Sequence, residues 1–66
     1  MELINKFNTT QCELSLYDTK YKCCGVNIYM LISVHKRNNK QLIRFGTQQQ
    51  IESMLNSYNL KKIFEL

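Results

Sequence analysis

Alanine, proline and tryptophan are absent from this chain, and glycine and arginine occur only twice each. Gly25 and Gly46 stand apart, so no glycine-rich loop exists to cradle a phosphate. The favoured residues have AT-rich codons and most of the scarce ones GC-rich codons; Asn, Lys, Ile, Tyr and Phe supply 27 of the 66 residues. That bias points to an AT-rich genome: a low-GC bacterium, its phages and plasmids, or a large DNA virus. Seven asparagines and five glutamines argue against a hyperthermophile, where thermolabile side chains are depleted.

Long apolar runs are missing as well. The longest is Ile28–Ile32, far short of the ~20 residues that cross a bilayer. The start, Met1–Lys6, lacks a basic stretch followed by an apolar one and does not read as a signal peptide. The expected location is the cytoplasm of a host cell.

The three cysteines, Cys12, Cys23 and Cys24, are odd in number, and no framework of bridges fits them without a free thiol. They read as reduced, buried thiols used as small hydrophobes near the start of a core strand. Together with His35 they have the residue types of a zinc site. The spacing is wrong: there is no C-x-x-C, and adjacent residues on an extended chain point opposite ways. No metal and no cofactor are expected.

Catalytic groups are equally scarce. His35, the only histidine, lies about 30 Å along an extended strand from Val26, beyond reach of Cys23 or Cys24. Cys12 could meet it only if the two strands pair antiparallel in a suitable register. Glu2, Glu13, Asp18, Glu52 and Glu65 form no close carboxylate pattern for acid–base work. The chain is expected not to be an enzyme.

What is present is one small domain. A chain of this length buries only about 60% of the surface its unfolded form exposes, leaving room for one core and no deep cavity. Segment 2–7 reads as an edge strand and Asn8-Thr9-Thr10 as a turn. Gln11–Tyr17 alternates, with Cys12, Leu14 and Leu16 on one side and Glu13, Ser15 and Tyr17 on the other. Asp18-Thr19-Lys20 reads as the next turn.

The strongest strand follows. Val26, Ile28, Met30, Ile32 and Val34 share one face, which reads as core; Asn27, Tyr29, Leu31, Ser33 and His35 share the other. Asn38-Asn39 suits the tight turn of a hairpin that returns over Gln41–Phe45. Thr47 with Gln50 forms a capping-box pattern, and Ile51, Met54, Leu55 and Tyr58 make one apolar helical stripe. Asn59 suits a helix stop, and Leu60–Leu66 reads as a last strand. The expected fold is α+β: a mainly antiparallel sheet of about four or five strands, order β-β-β-β-α-β, with one amphipathic helix on one face.

Two groups of residues have no evident structural duty. The first is basic: His35, Lys36, Arg37, Lys40 and Arg44, at the tip and return strand of the hairpin, with Lys20 and Lys22 as an extension. The second is the Tyr29–Leu31 face with Tyr17, suited to a protein-binding patch or a homodimer contact. The net charge of +4 rules out an acidic DNA mimic and permits an anionic partner. Two functions follow as expectations. One is a small accessory protein, encoded by a phage or other mobile element, that binds and inhibits a host protein or protein–nucleic acid complex by steric occlusion. The other is a direct DNA- or RNA-binding module using the basic hairpin, with Tyr17, Tyr21 and Tyr29 stacking bases.

Overall fold

A computed structural model describes residues 1–57. The strands are β1 (Glu2–Asn8), β2 (Cys12–Cys23), β3 (Val26–His35) and β4 (Gln41–Gly46), followed by the helix α1 (Gln48–Asn56). The four strands form one open sheet in the order β1-β2-β3-β4, and each neighbouring pair is antiparallel. The α+β class is thus as expected. The expected final strand over Leu60–Leu66, the helix residue Tyr58 and the stop at Asn59 lie outside the described residues.

Three turns set the register, each with its own chemistry. Between β1 and β2, the Thr9 hydroxyl accepts from the Cys12 N–H at 2.9 Å, and the Thr9 N–H donates to the Cys12 carbonyl at 2.9 Å. Between β3 and β4, Asn39 takes a φ of 58°, a region that asparagine tolerates better than most residues. There the His35 N–H donates to the Lys40 carbonyl at 2.9 Å.

The turn between β2 and β3 is not at Asp18–Lys20 but at Cys24-Gly25. Both residues have positive φ, 53° and 79°, which fits the tight two-residue hairpin turn whose twist matches its strands. The expected turn is instead a bulge inside β2, where the register shifts between Asp18 and Tyr21. The Asp18 carboxylate accepts from the Lys20 N–H at 2.8 Å, the Asp-to-backbone bond that suggested a turn. The Thr19 hydroxyl bridges the distortion to the Ile28 carbonyl at 2.6 Å, so β2 continues to Cys23.

The helix starts as its sequence dictates. The Thr47 hydroxyl accepts from the Gln50 N–H at 3.4 Å, and the Gln50 side chain accepts from the Thr47 N–H at 2.9 Å. Ile51 and Leu55 are fully buried, and Met54 packs beside them.

The face that the helix covers is the reverse of the one expected. Residue pairing places Leu16 opposite Leu31, Leu14 opposite Ser33 and Cys12 opposite His35. The core is Cys12, Leu14, Leu16, Leu31, Ile51 and Leu55, with Ile4, Phe7, Tyr29 and Met54 against it. The stripe Val26, Ile28, Met30, Ile32 and Val34 therefore points away from α1; of its members Met30 is buried as expected, at 9% exposure, while Ile28, Ile32 and Val34 are half-buried and Val26 is exposed. Both faces of β3 are apolar, so β3 alone does not settle the matter; β2 does. Its leucines lie on one side only, and its other side offers Glu13, Ser15 and Tyr17. Covering the leucine side buries Leu14, Leu16 and Leu31 together, at roughly 1.5–3 kcal/mol for each fully buried side chain.

Candidate partner-binding surfaces

The hairpin β3–β4 carries its cations at one end of the sheet. Lys36, Arg37 and Lys40 are exposed, and His35 is half-buried beside them. The tip is fixed by backbone bonds. The Arg37 N–H donates to His35 Nδ1 at 3.2 Å, the Asn39 N–H to the His35 carbonyl at 2.8 Å, and the Lys40 N–H to Asn38 Oδ1 at 3.0 Å. The Lys36 ammonium reaches across to the Thr9 carbonyl at 2.8 Å, and the Lys36 N–H donates to the Gln11 carbonyl at 2.8 Å. The β3–β4 tip and the β1–β2 turn are thereby joined into one surface. An open depression of about 440 Å³ lies between them, lined by Thr10, Gln11, His35, Lys36 and Arg37. A wall with no large apolar residue does not suit an ordinary small-molecule pocket, which is mostly apolar.

Among the described residues no carboxylate pairs with Lys36, Arg37 or Lys40; the ion pairs fall on Lys20, 3.7 Å from both Glu2 and Asp18. Lys20 and Lys22 belong to the far end of β2, near the Cys24-Gly25 turn, so they do not extend the cluster. Arg44 is also apart from it. It pairs with Leu31 on the helix-covered side and lines a groove of about 170 Å³ with Ser33, Leu42, Met54 and Ser57.

The second expected patch does not exist as a surface. Leu31 is 3% exposed and belongs to the core, and Tyr29 is half-buried against the same cluster. Tyr17 lies on the opposite face, where it pairs with Leu3 and Met30. The three residues are not brought together, because neighbours two apart on β3 share the helix side while Tyr17 is one register position off that side of β2.

The apolar surface left exposed lies instead on the face that no described element covers, around Met30, which is itself buried at 9% exposure. One row across the strands is Leu3, Tyr17, Met30 and Phe45, and the next is Lys6, Ser15, Ile32 and Ile43. Phe45 is 62% exposed, Ile43 49%, Val26 48% and Leu3 45%. Sequence reasoning missed Ile43 and Phe45 as surface residues. Their alternation with Leu42 and Arg44 was visible, but not which side would stay open.

The cysteines separate by position. Cys12 is buried in the core, whereas Cys23 and Cys24 are exposed at the β2–β3 turn and all three are free thiols. The expectation of three buried thiols therefore holds for Cys12 alone. The antiparallel register does set Cys12 opposite His35. Among the described residues no hydrogen bond joins the two, and His35 Nδ1 is taken up by the Arg37 N–H. No group of three or more His, Cys, Asp or Glu able to hold a metal ion occurs among the described residues. No described helix is long and apolar enough to cross a membrane.

Comparisons against protein families, curated proteins and solved structures return no match.

Proposed function

We propose that this protein is a small, non-catalytic modulator that docks its basic hairpin tip on an anionic surface of a host protein and blocks that surface sterically. The observation that carries this reading is the cluster of exposed Lys36, Arg37 and Lys40 on a braced tip, with no carboxylate partner among the described residues. Unneutralised like charges at one end raise the rate of encounter with an acidic partner and fix its orientation. Bracing by the Lys36–Thr9 bond and the His35–Lys40 bond lowers the ordering cost on binding. Arg44, Tyr29 and Leu31 drop out of the binding surface, since Arg44 lies by the α1 groove and the other two pack with the core. The AT-rich codon bias favours a phage or mobile-element source, and with it a host-cell cytoplasm as the place of action.

The second reading, direct binding of DNA or RNA, rests on the same cations. The two separate on salt and nuclease. Immobilised protein incubated with extract of the source's host should retain a protein partner after nuclease treatment. The triple variant Lys36→Glu, Arg37→Glu, Lys40→Glu should lose it. A partner that leaves with nuclease, together with an oligonucleotide affinity that falls steeply with salt, would assign the tip to nucleic acid. Equal capture by the wild type and the triple variant would remove both readings.

A further inference from the structure

We propose that the uncovered face of the sheet is a homodimer interface, on which a second copy of this chain packs sheet against sheet. The inference goes beyond the binding role of the tip and rests on different residues.

The first support is composition. Along β3, Ile28, Met30, Ile32 and Val34 point to this face, Met30 buried at 9% exposure and the other three half-buried, and β4 adds the exposed Ile43 and Phe45 opposite Ile32 and Met30. Five large apolar residues or aromatics of this face are at least 45% exposed: Leu3, Tyr21, Val26, Ile43 and Phe45. Contiguous apolar patches of this kind mark interaction sites, whereas scattered exposed residues do not. The helix, which could have covered this stripe, lies on the other side.

Charge selects the occupant. The chain carries +4, yet among the described residues the only charged ones paired into the ladders of this face are Lys6 and Glu13, one of each sign. A nucleic acid or an acidic protein finds no complementary field here. A second copy finds a neutral, apolar surface and meets no net repulsion from it. The isologous geometry of a two-fold dimer needs such a self-complementary patch.

Size is consistent with this occupant. Four strands at about 4.8 Å spacing, over the ten residues of β3 at about 3.3 Å each, give a footprint of roughly 600 Å². A stable interface needs ~800 Å² of accessible surface from each partner, and side-chain relief raises the accessible area above the flat footprint. Two such sheets stacked about 10 Å apart form a sandwich with helices outside, which completes the second core that a chain this short cannot build alone.

Leu42 and Ile43 make the test clean. They are adjacent, equally exposed at 50% and 49%, and on opposite faces of β4. Sedimentation equilibrium of the full chain at ~100 µM, well above a micromolar dissociation constant, should give twice the 7.9 kDa chain mass. Ile43→Lys should raise the dimer dissociation constant by ~100-fold or more, because the symmetry buries two unpaired charges. Leu42→Lys should leave it within ~3-fold, since surface substitutions away from an interface are near neutral. Far-UV circular dichroism confirms that each variant is folded. Phe45→Glu serves as a second variant should Ile43→Lys unfold. A monomeric wild type at that concentration overturns the proposal. So does a folded Ile43→Lys or Phe45→Glu that stays dimeric, or a Leu42→Lys that dissociates as readily as Ile43→Lys. Failure here leaves the tip reading intact, because mass and partner capture are read separately.

Discussion

A methyl group placed on Gly46 would lie 2.9 Å from Gln50 Oε1 and 3.1 Å from Gln50 Cβ. Gly46 is the last residue of β4, and Gln50 is the capping-box residue whose carbonyl oxygen accepts from the Thr47 N–H. The strand end and the helix start therefore share one tight joint. It sends α1 back over the Leu31 side of the sheet.

Gly46→Ala should displace the Gln50 side chain and cost about 1 kcal/mol, the usual value of a lost helix cap. Gln50→Ala alone should cost a similar amount. The double variant should cost clearly less than the sum, because the clash and the cap involve the same side chain. Urea denaturation of the three variants measures this; full additivity would show that the joint is not shared.

Leu16→Ala and Ile51→Ala should each destabilise by about 2–5 kcal/mol, as large-to-small changes at fully buried sites do. In so small a chain that magnitude can unfold it at room temperature. Val26→Ala, at a site 48% exposed on the opposite face, should cost under ~1 kcal/mol in dilute monomer. The expectation that set Val26 in the core beside Ile51 gives those two truncations similar costs, and thermal melts at low concentration decide between the outcomes.

Cys23 and Cys24 should react promptly with an aromatic disulfide reagent in the native protein, and Cys12 only as fast as the chain opens. Spectrophotometric titration should show two fast thiols and one slow one. Three fast thiols would mean that the Cys12 end of the core is loosely packed.

Charge reversal at Lys36, Arg37 and Lys40 should abolish partner capture while leaving the sheet's stability within ~1 kcal/mol, because exposed charges without carboxylate partners add little to folding. Lys36→Ala alone should cost stability as well, up to ~1 kcal/mol, since its ammonium bonds to the Thr9 carbonyl. Arg44→Ala should leave capture unchanged, as Arg44 sits by the α1 groove. Capture lost through Arg44 and kept through Lys36 and Arg37 would move the site to that groove.

Much of this fold is local in origin and therefore legible in the chain itself. Thr47 and Gln50 name the helix start because both partners of the capping box lie within four residues. The alternation in Cys12–Leu16 and Val26–Val34 names strands, and Asn39 names a turn, for the same reason. Asp18 is a partial case. Its bond to the Lys20 N–H is real, but whether it makes a turn or a bulge depends on the strand opposite, where Thr19 finds the Ile28 carbonyl.

The basic tip was legible as a run of charges, and its braced geometry was not, because Lys36 meets a carbonyl twenty-seven residues away. The choice of core face was decided by tertiary structure alone. A strand apolar on both sides has no preference of its own; pairing with the one-sided β2 supplies it. Sequence determined which residues form strands and helix, since those preferences are set by neighbours along the chain. Only the assembled sheet decided which side the helix would cover. In doing so it set the Val26–Val34 stripe on the side away from the helix, where Met30 is still buried and Val26 is left exposed.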